Sequence, residues 1–152
     1  MDISAELEQN WPHLADTPYR ITSSHTPNYN CLAWAVEDEA RWWSPLPEDD
    51  YYWPEDAPRE VSTEAFIKAY ETLGFSICED ENLEDNVEKL AIYVTADGTP
   101  QHVARQLPNG FWTSKLGRLE DIEHELSGLD GKLYGTAQTF MARTISDRPI
   151  VR

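Results

Sequence analysis

Long apolar runs are missing from this chain. No stretch approaches the roughly 18–20 residues that a membrane-spanning helix needs, and the opening residues, MDISAELEQNWPHL, carry neither a basic n-region nor an apolar h-region. The expectation is no membrane partner and a cytoplasmic location, with leaderless secretion left open. Basic residues are also scarce: 12 Lys and Arg stand against 28 Asp and Glu, a net charge of −16. That field repels the phosphate backbone, so no nucleic-acid partner is expected. Cysteine is limited to Cys31 and Cys78, too few for a disulfide framework and therefore read as free thiols of a reducing compartment. Paired His-x-x-x-His and Cys-x-x-Cys spacings are absent, and the acidic run 79–88 lacks a glycine at the sixth position of a calcium loop. No metal and no cofactor are expected. Internal repeats and Gly/Ser linkers are lacking too, so residues 1–152 read as one domain.

What remains is a chain with 40% apolar and 11% aromatic residues, enough to bury a core. It divides into an N-terminal segment 1–28, a helical half 29–78 and a strand-rich half 89–143. Pro18 and the run 21–28 read as irregular chain after one or two helical turns. Residues 31–43, CLAWAVEDEARWW, contain no Gly or Pro and place Leu32, Ala35, Val36 and Glu39 at helical spacing, with Asn30 as N-cap. The loop 45–58 mixes prolines, acids and aromatics and reads as an ordered surface wall or lid. A second helix is predicted over 63–73, capped by Ser62, with Ala65, Phe66, Ala69, Tyr70 and Leu73 as its buried stripe and Gly74 as its stop.

In the back half the period changes. Residues 89–94, 102–107 and 111–115 read as strands separated by Asp97-Gly98 and Asn109-Gly110, a three-stranded antiparallel meander. A short helix over 119–126 and a last strand over 134–143 follow. The order of elements predicts an α+β fold with the helices packed on one face of an antiparallel sheet.

Cys31 opens a predicted helix and His102 opens a strand about seventy positions later, the relation that a thiol nucleophile and its base require. The unpaired N–H groups of a helix start stabilise a thiolate and lower its pKa below roughly 8.5. An orienting partner for His102 should come from the next strand. A two-residue Asn109-Gly110 turn sets position 117 opposite His102, and a longer loop or bulge brings in Ser114. Cys78 reads as core; His25 and His124 stand as alternative bases or ligands, with His124 read more simply as an exposed histidine on an acidic helix. Trp34, Trp42, Trp43, Tyr51, Tyr52 and Trp53 divide between core and a groove wall. The neighbouring Glu48, Asp49, Asp50, Glu55 and Asp56 favour a substrate or partner with positive charge.

Asn30-Cys31 at a helix start, followed by HVARQLPNGFWTS from His102 to Ser114, resembles the NlpC/P60 branch of the papain-like cysteine peptidases. The strings YNCLAWA, HVARQL and WTSKLG also resemble an uncharacterised bacterial domain family within or near that branch. The resemblance implies a papain-like, NlpC/P60-like fold with Cys31 as nucleophile, His102 as general base and Ser114 at the orienting position. Tyr29 and Asn30 would then lie near the oxyanion, with Trp34 and Trp53 beside the substrate. The pair after the cysteine is Leu32-Ala33, where the family commonly has Ser-Gly. The implied function is a thiol hydrolase or acyl-transferase of amidase, peptidase or deamidase type, acting on a peptide or protein. The alternative is an inactive papain-like binding module, of inhibitor or immunity type, whose acidic, aromatic face holds a basic protein.

Overall fold

A computed structural model describes residues 3–24, 26–46, 51–116 and 119–145. His25, Glu48, Asp49, Asp50 and position 117, all named above, lie outside the described residues. The helices are α1 (Ile3–Asn10), α2 (Cys31–Trp34) and α3 (Thr63–Glu71), with 3-10 turns at Pro12–Asp16 and Leu126–Leu129. The strands are β1 (Tyr19–Ile21), β2 (Ser76–Cys78), β3 (Val87–Val94), β4 (Pro100–Gln106), β5 (Trp112–Lys115), β6 (Asp121–His124) and β7 (Thr136–Thr144). They form a seven-stranded sheet in the order β1-β6-β5-β4-β3-β7-β2, with every neighbouring pair antiparallel. The architecture is α+β, and the expected meander is its centre, extended by β6 and β1 on one side and by β7 and β2 on the other. Among the described residues no helix is long and apolar enough to cross a membrane.

Both faces of the sheet are covered, not one. Strand alternation sends Leu90, Ile92 and Val103 to a face packed by α2, α3, Trp43 and Trp53. Ala91, Tyr93, Ala104, Trp112 and Ile122 go to the opposite face, under Leu7 of α1, Leu14 and Leu129. A mixed α+β chain whose strands are apolar on both sides, as β3 is, needs a layer on each face. Every residue of β3 from Lys89 to Val94 is buried.

Two predicted helices are revised. The helix expected over 31–43 ends at Trp34, because Glu37 adopts φ +63° and the Asp38 amide turns back to the Ala33 carbonyl at 2.9 Å. Asp38 then organises the exit, accepting from the Ala40 amide at 3.0 Å and from Arg41 and the Trp43 indole at 2.9 Å each. The helix expected over 119–126 is instead strand β6 followed by a 3-10 turn, since Asp121 to His124 pair with β5 on one side and β1 on the other. Two ladders outweigh the helix propensity of DIEHEL. Helix α3 follows expectation: the Ser62 hydroxyl accepts from the Ala65 amide at 3.0 Å, and Gly74 stops the chain with φ +94°. Cys78, expected in the core, is half-buried on the edge strand β2.

Gly135 sits at φ +76°, and a Cβ there would lie 2.0 Å from the Val94 carbonyl oxygen, whereas at Gly98, φ +86°, nothing lies within 4 Å. Gly98→Ala is expected to cost only the left-handed penalty, about 1 kcal/mol. Gly135→Ala adds a backbone collision and should cost at least ~3 kcal/mol or block folding. Urea midpoints of the two variants check this, and equal losses would contradict it.

Candidate active site

The site is built on the β4–β5 hairpin. Its closing pair is Leu107 and Phe111, with the Leu107 amide donating to the Phe111 carbonyl at 2.7 Å around Pro108, Asn109 and Gly110. The loop therefore has three residues, with Gly110 at φ +90°, rather than two. That one-residue change flips the parity of the pairing. Arg105 faces Thr113 and Gln106 faces Trp112, so Ser114 projects on the face of Ala104 and His102 instead of that of Arg105. The result is a contact of 2.8 Å between His102 Nε2 and Ser114 Oγ, both residues fully buried.

Strand β6 extends the contact. Ser114 Oγ also lies 2.7 Å from His124 Nε2, and His124 Nδ1 lies 2.7 Å from the Glu125 carbonyl oxygen. His124, expected on an exposed helix, is thus a buried member of the site; the alternation of Ile122 and His124 against Asp121 and Glu123 is the signal that points it inward. Burial pushes the His124 imidazole down to about 4. It pushes His102 well below its ordinary value as well, and nearby His124 adds to the effect. Tyr134 stacks on the His102 ring with centroids 4.1 Å apart and planes 7° from parallel, and Tyr93 meets it edge-on at 5.4 Å. A bulge between Tyr93 and Val94 sits where β4 enters this cage, just before His102. His102 Nδ1 is buried and has no hydrogen-bond partner.

Cys31 approaches from the other face. Beyond Arg105 and Thr113 the β4–β5 ladder lapses, and the Val103 amide, on the β5 side of its strand, faces the Cys31 sulfur instead. Thiol and imidazole therefore flank one peptide unit, the bond between His102 and Val103, without a hydrogen bond between the two side chains. The sequence expectation of a thiol made acidic by a helix start is corrected: α2 is four residues long, and burial raises the Cys31 pKa to about 11. The amides of Val103, Leu32 and Cys31 oppose that rise, as does the ammonium of Lys115, without cancelling it.

The remaining expected residues hold the frame. The Tyr29 hydroxyl donates to Asp121 Oδ2 at 2.8 Å, and burial followed by that carboxylate pushes its pKa up to about 12. Asn30 caps α2, accepting from the Ala33 amide at 3.3 Å and the Trp43 amide at 3.1 Å while donating to the Trp43 carbonyl at 2.6 Å. Its oxygen is occupied by the two amides, and one of its two N–H groups by the Trp43 carbonyl. The Trp34 indole donates to Thr113 Oγ1 at 3.0 Å and lies under Arg105. Trp53 is buried against Phe66 of α3 and belongs to the core rather than to a substrate groove. Lys115 and Asp121, unremarked in the sequence, are fully or nearly fully buried on the Cys31 side of the sheet. Among the described residues no group of three His, Cys, Asp or Glu is arranged to hold a metal ion.

A family profile matches residues 20–142. The chain belongs to the DUF7689 family, a domain of unknown function. No curated protein matches it, and no solved structure does. The matched DUF7689 span contains Cys31, His102, Ser114 and His124.

The two buried imidazoles of this DUF7689 domain give it a distinctive acid response. Their folded pKa values lie below the unfolded value of roughly 6.5, so the unfolded chain takes up protons first and stability falls as pH drops from about 6.5. At pH 5 each histidine should cost on the order of 2 kcal/mol relative to pH 7. Urea unfolding at the two pH values checks this, and His124→Gln, which removes one titrating group, should recover about half of the loss. An unfolding free energy that is flat across that window would contradict neutral, buried imidazoles.

Proposed function

We propose that this chain is a thiol hydrolase or acyl-transferase on a papain-like, NlpC/P60-like plan, with Cys31 as nucleophile and His102 as general base. The observations that carry the reading are the buried, unpartnered His102 Nδ1, the hold of Ser114 on Nε2 of the same ring, and the amide of the next residue, Val103, which faces the Cys31 sulfur. An imidazole anchored at one nitrogen and bare at the other is a base awaiting a proton.

With the thiol pKa raised and the imidazole pKa lowered, both groups rest neutral near pH 7. Proton transfer then accompanies attack rather than preceding it. Sγ bonds to the carbonyl carbon of an amide or ester as the thiol proton is relayed around the His102–Val103 peptide to Nδ1 through one water, and the carbonyl becomes an oxyanion. Collapse expels the amine or alcohol, which receives that proton from His102 and leaves a thioester on Cys31. Water, or a second amine, gives its proton to Nδ1 as it attacks the thioester, and the returning thiolate recovers the proton. Hydrolysis and deamidation share water as the second nucleophile and differ in the group expelled, an amine, alcohol or ammonia; acyl transfer differs in that a second amine arrives instead of water. The net charge of −16 favours a peptide or protein substrate with positive charge near the reacting bond.

Alkylation of Cys31 by iodoacetamide, followed by peptide mass with Cys78 as internal control, tests the pair. Because neutral imidazole is already present at pH 6, the wild-type rate should be nearly flat between about pH 6 and 8. In His102→Ala the rate should instead rise about tenfold per pH unit, following the thiolate fraction of a group whose pKa is about 11. Superimposable profiles for the two proteins would remove His102 as the base.

A further inference from the structure

The hydrogen-bond chain through β4, β5 and β6 has a direction, and that direction can be worked out from its end. The Glu125 carbonyl oxygen can only accept, so the 2.7 Å contact requires the proton of His124 to sit on Nδ1. His124 is neutral at pH 7, so its Nε2 carries a lone pair. The Ser114 hydroxyl has one proton, and at 2.7 Å from that lone pair it donates there. Its oxygen is then the acceptor for His102 Nε2 at 2.8 Å, so the His102 proton sits on Nε2. The Nδ1 atom of His102 is left unprotonated, at the buried position that has no other partner.

We propose that His124 is a positioning residue that selects the basic tautomer of His102 through Ser114, a role no carboxylate or amide fills here. The serine alone cannot do this, because a hydroxyl serves either tautomer by rotating. With His124 behind it, the rotor is locked. This explains how a serine can occupy the orienting place: the lock is the second imidazole, itself fixed by a main-chain carbonyl of its own strand end. The chemical consequence rests on the hydrolase reading, while the relay stands on the hydrogen-bond geometry together with a neutral His124.

Long-range proton–nitrogen spectra of the 15N-labelled chain near pH 7 test it by assigning the protonated nitrogen of each ring. The expected result is a single tautomer, Nε2–H, for His102 and a single tautomer, Nδ1–H, for His124. His124→Phe, which cannot accept from Ser114, should turn His102 into a tautomer mixture and lower the Cys31 alkylation rate about tenfold. His124→Gln, whose side-chain carbonyl can accept, should restore both. If His124→Phe does not fold, Ser114→Ala cuts the same relay and should give the same mixture. A protonated Nδ1 on His102 in the wild type, or a tautomer indifferent to both variants, overturns the proposal. A tautomer that follows the relay while alkylation ignores His102→Ala would instead sink the hydrolase reading and leave the relay intact.

Discussion

The β4–β5 ladder closes on Leu107 and Phe111 around three residues, and that loop length determines which side chains share the face of His102. A two-residue turn would set Ser114 opposite Arg105 and turn its hydroxyl to the far side of the sheet. With Gly110 at φ +90° absorbing the extra residue, Ser114 lands diagonally from His102 and from His124, and one hydroxyl joins two imidazoles across three strands. The same hairpin then splays beyond Arg105 and Thr113, which frees the Val103 amide to face Cys31. Register and splay together are why a thiol on one face and an imidazole on the other flank a single peptide bond.

The interior reverses the electrostatics of the surface. A chain of net charge −16 hides Lys89 and Lys115 almost completely. Lys89 is held by Asp80 and Glu84, both from the acidic run 79–88, at 3.0 and 2.7 Å. Lys115 lies over the Tyr29 ring, whose hydroxyl is bound to Asp121. Around His102 the logic is different: Tyr93, Tyr134 and His124 surround it without a formal charge in hydrogen-bond contact, so burial dominates and keeps the imidazole neutral. A neutral base is the form that can take a proton from Cys31.

Much of the scaffold is legible in residue pattern. The stripe of α3 between Ser62 and Gly74 and the strands either side of Asp97-Gly98 and Asn109-Gly110 follow from local rules of period, cap and turn, whereas the contact of His102 with Ser114 needs a three-residue loop where the Asn-Gly dipeptide indicates two. The misses have two physical causes, tertiary context and side-chain bonds within a segment. DIEHEL has the composition of a helix, and only the open edges of β5 and β1 make it a strand. CLAWAVEDEARWW has the spacing of a helix, and only Asp38, with its bonds to Arg41 and Trp43, explains the turn after Trp34. Asn30 is the cap that its place before Cys31 indicates, and Trp53 is buried in the core. His124 is the most consequential miss, because an exposed helical histidine and a buried strand histidine imply opposite roles for the same residue.

The central claim is that the thiol of Cys31 and the bare nitrogen of His102 form one reacting unit. The most direct measurement is the 15N and ring-proton spectrum of His102 before and after Cys31 is capped by a methylthio group, with His13, His25 and His124 observed in the same sample. If the unit exists, capping should move the His102 Nδ1 and Hε1 resonances more than those of any of the three other histidines. A His102 spectrum that responds no more than that of His13 would contradict it.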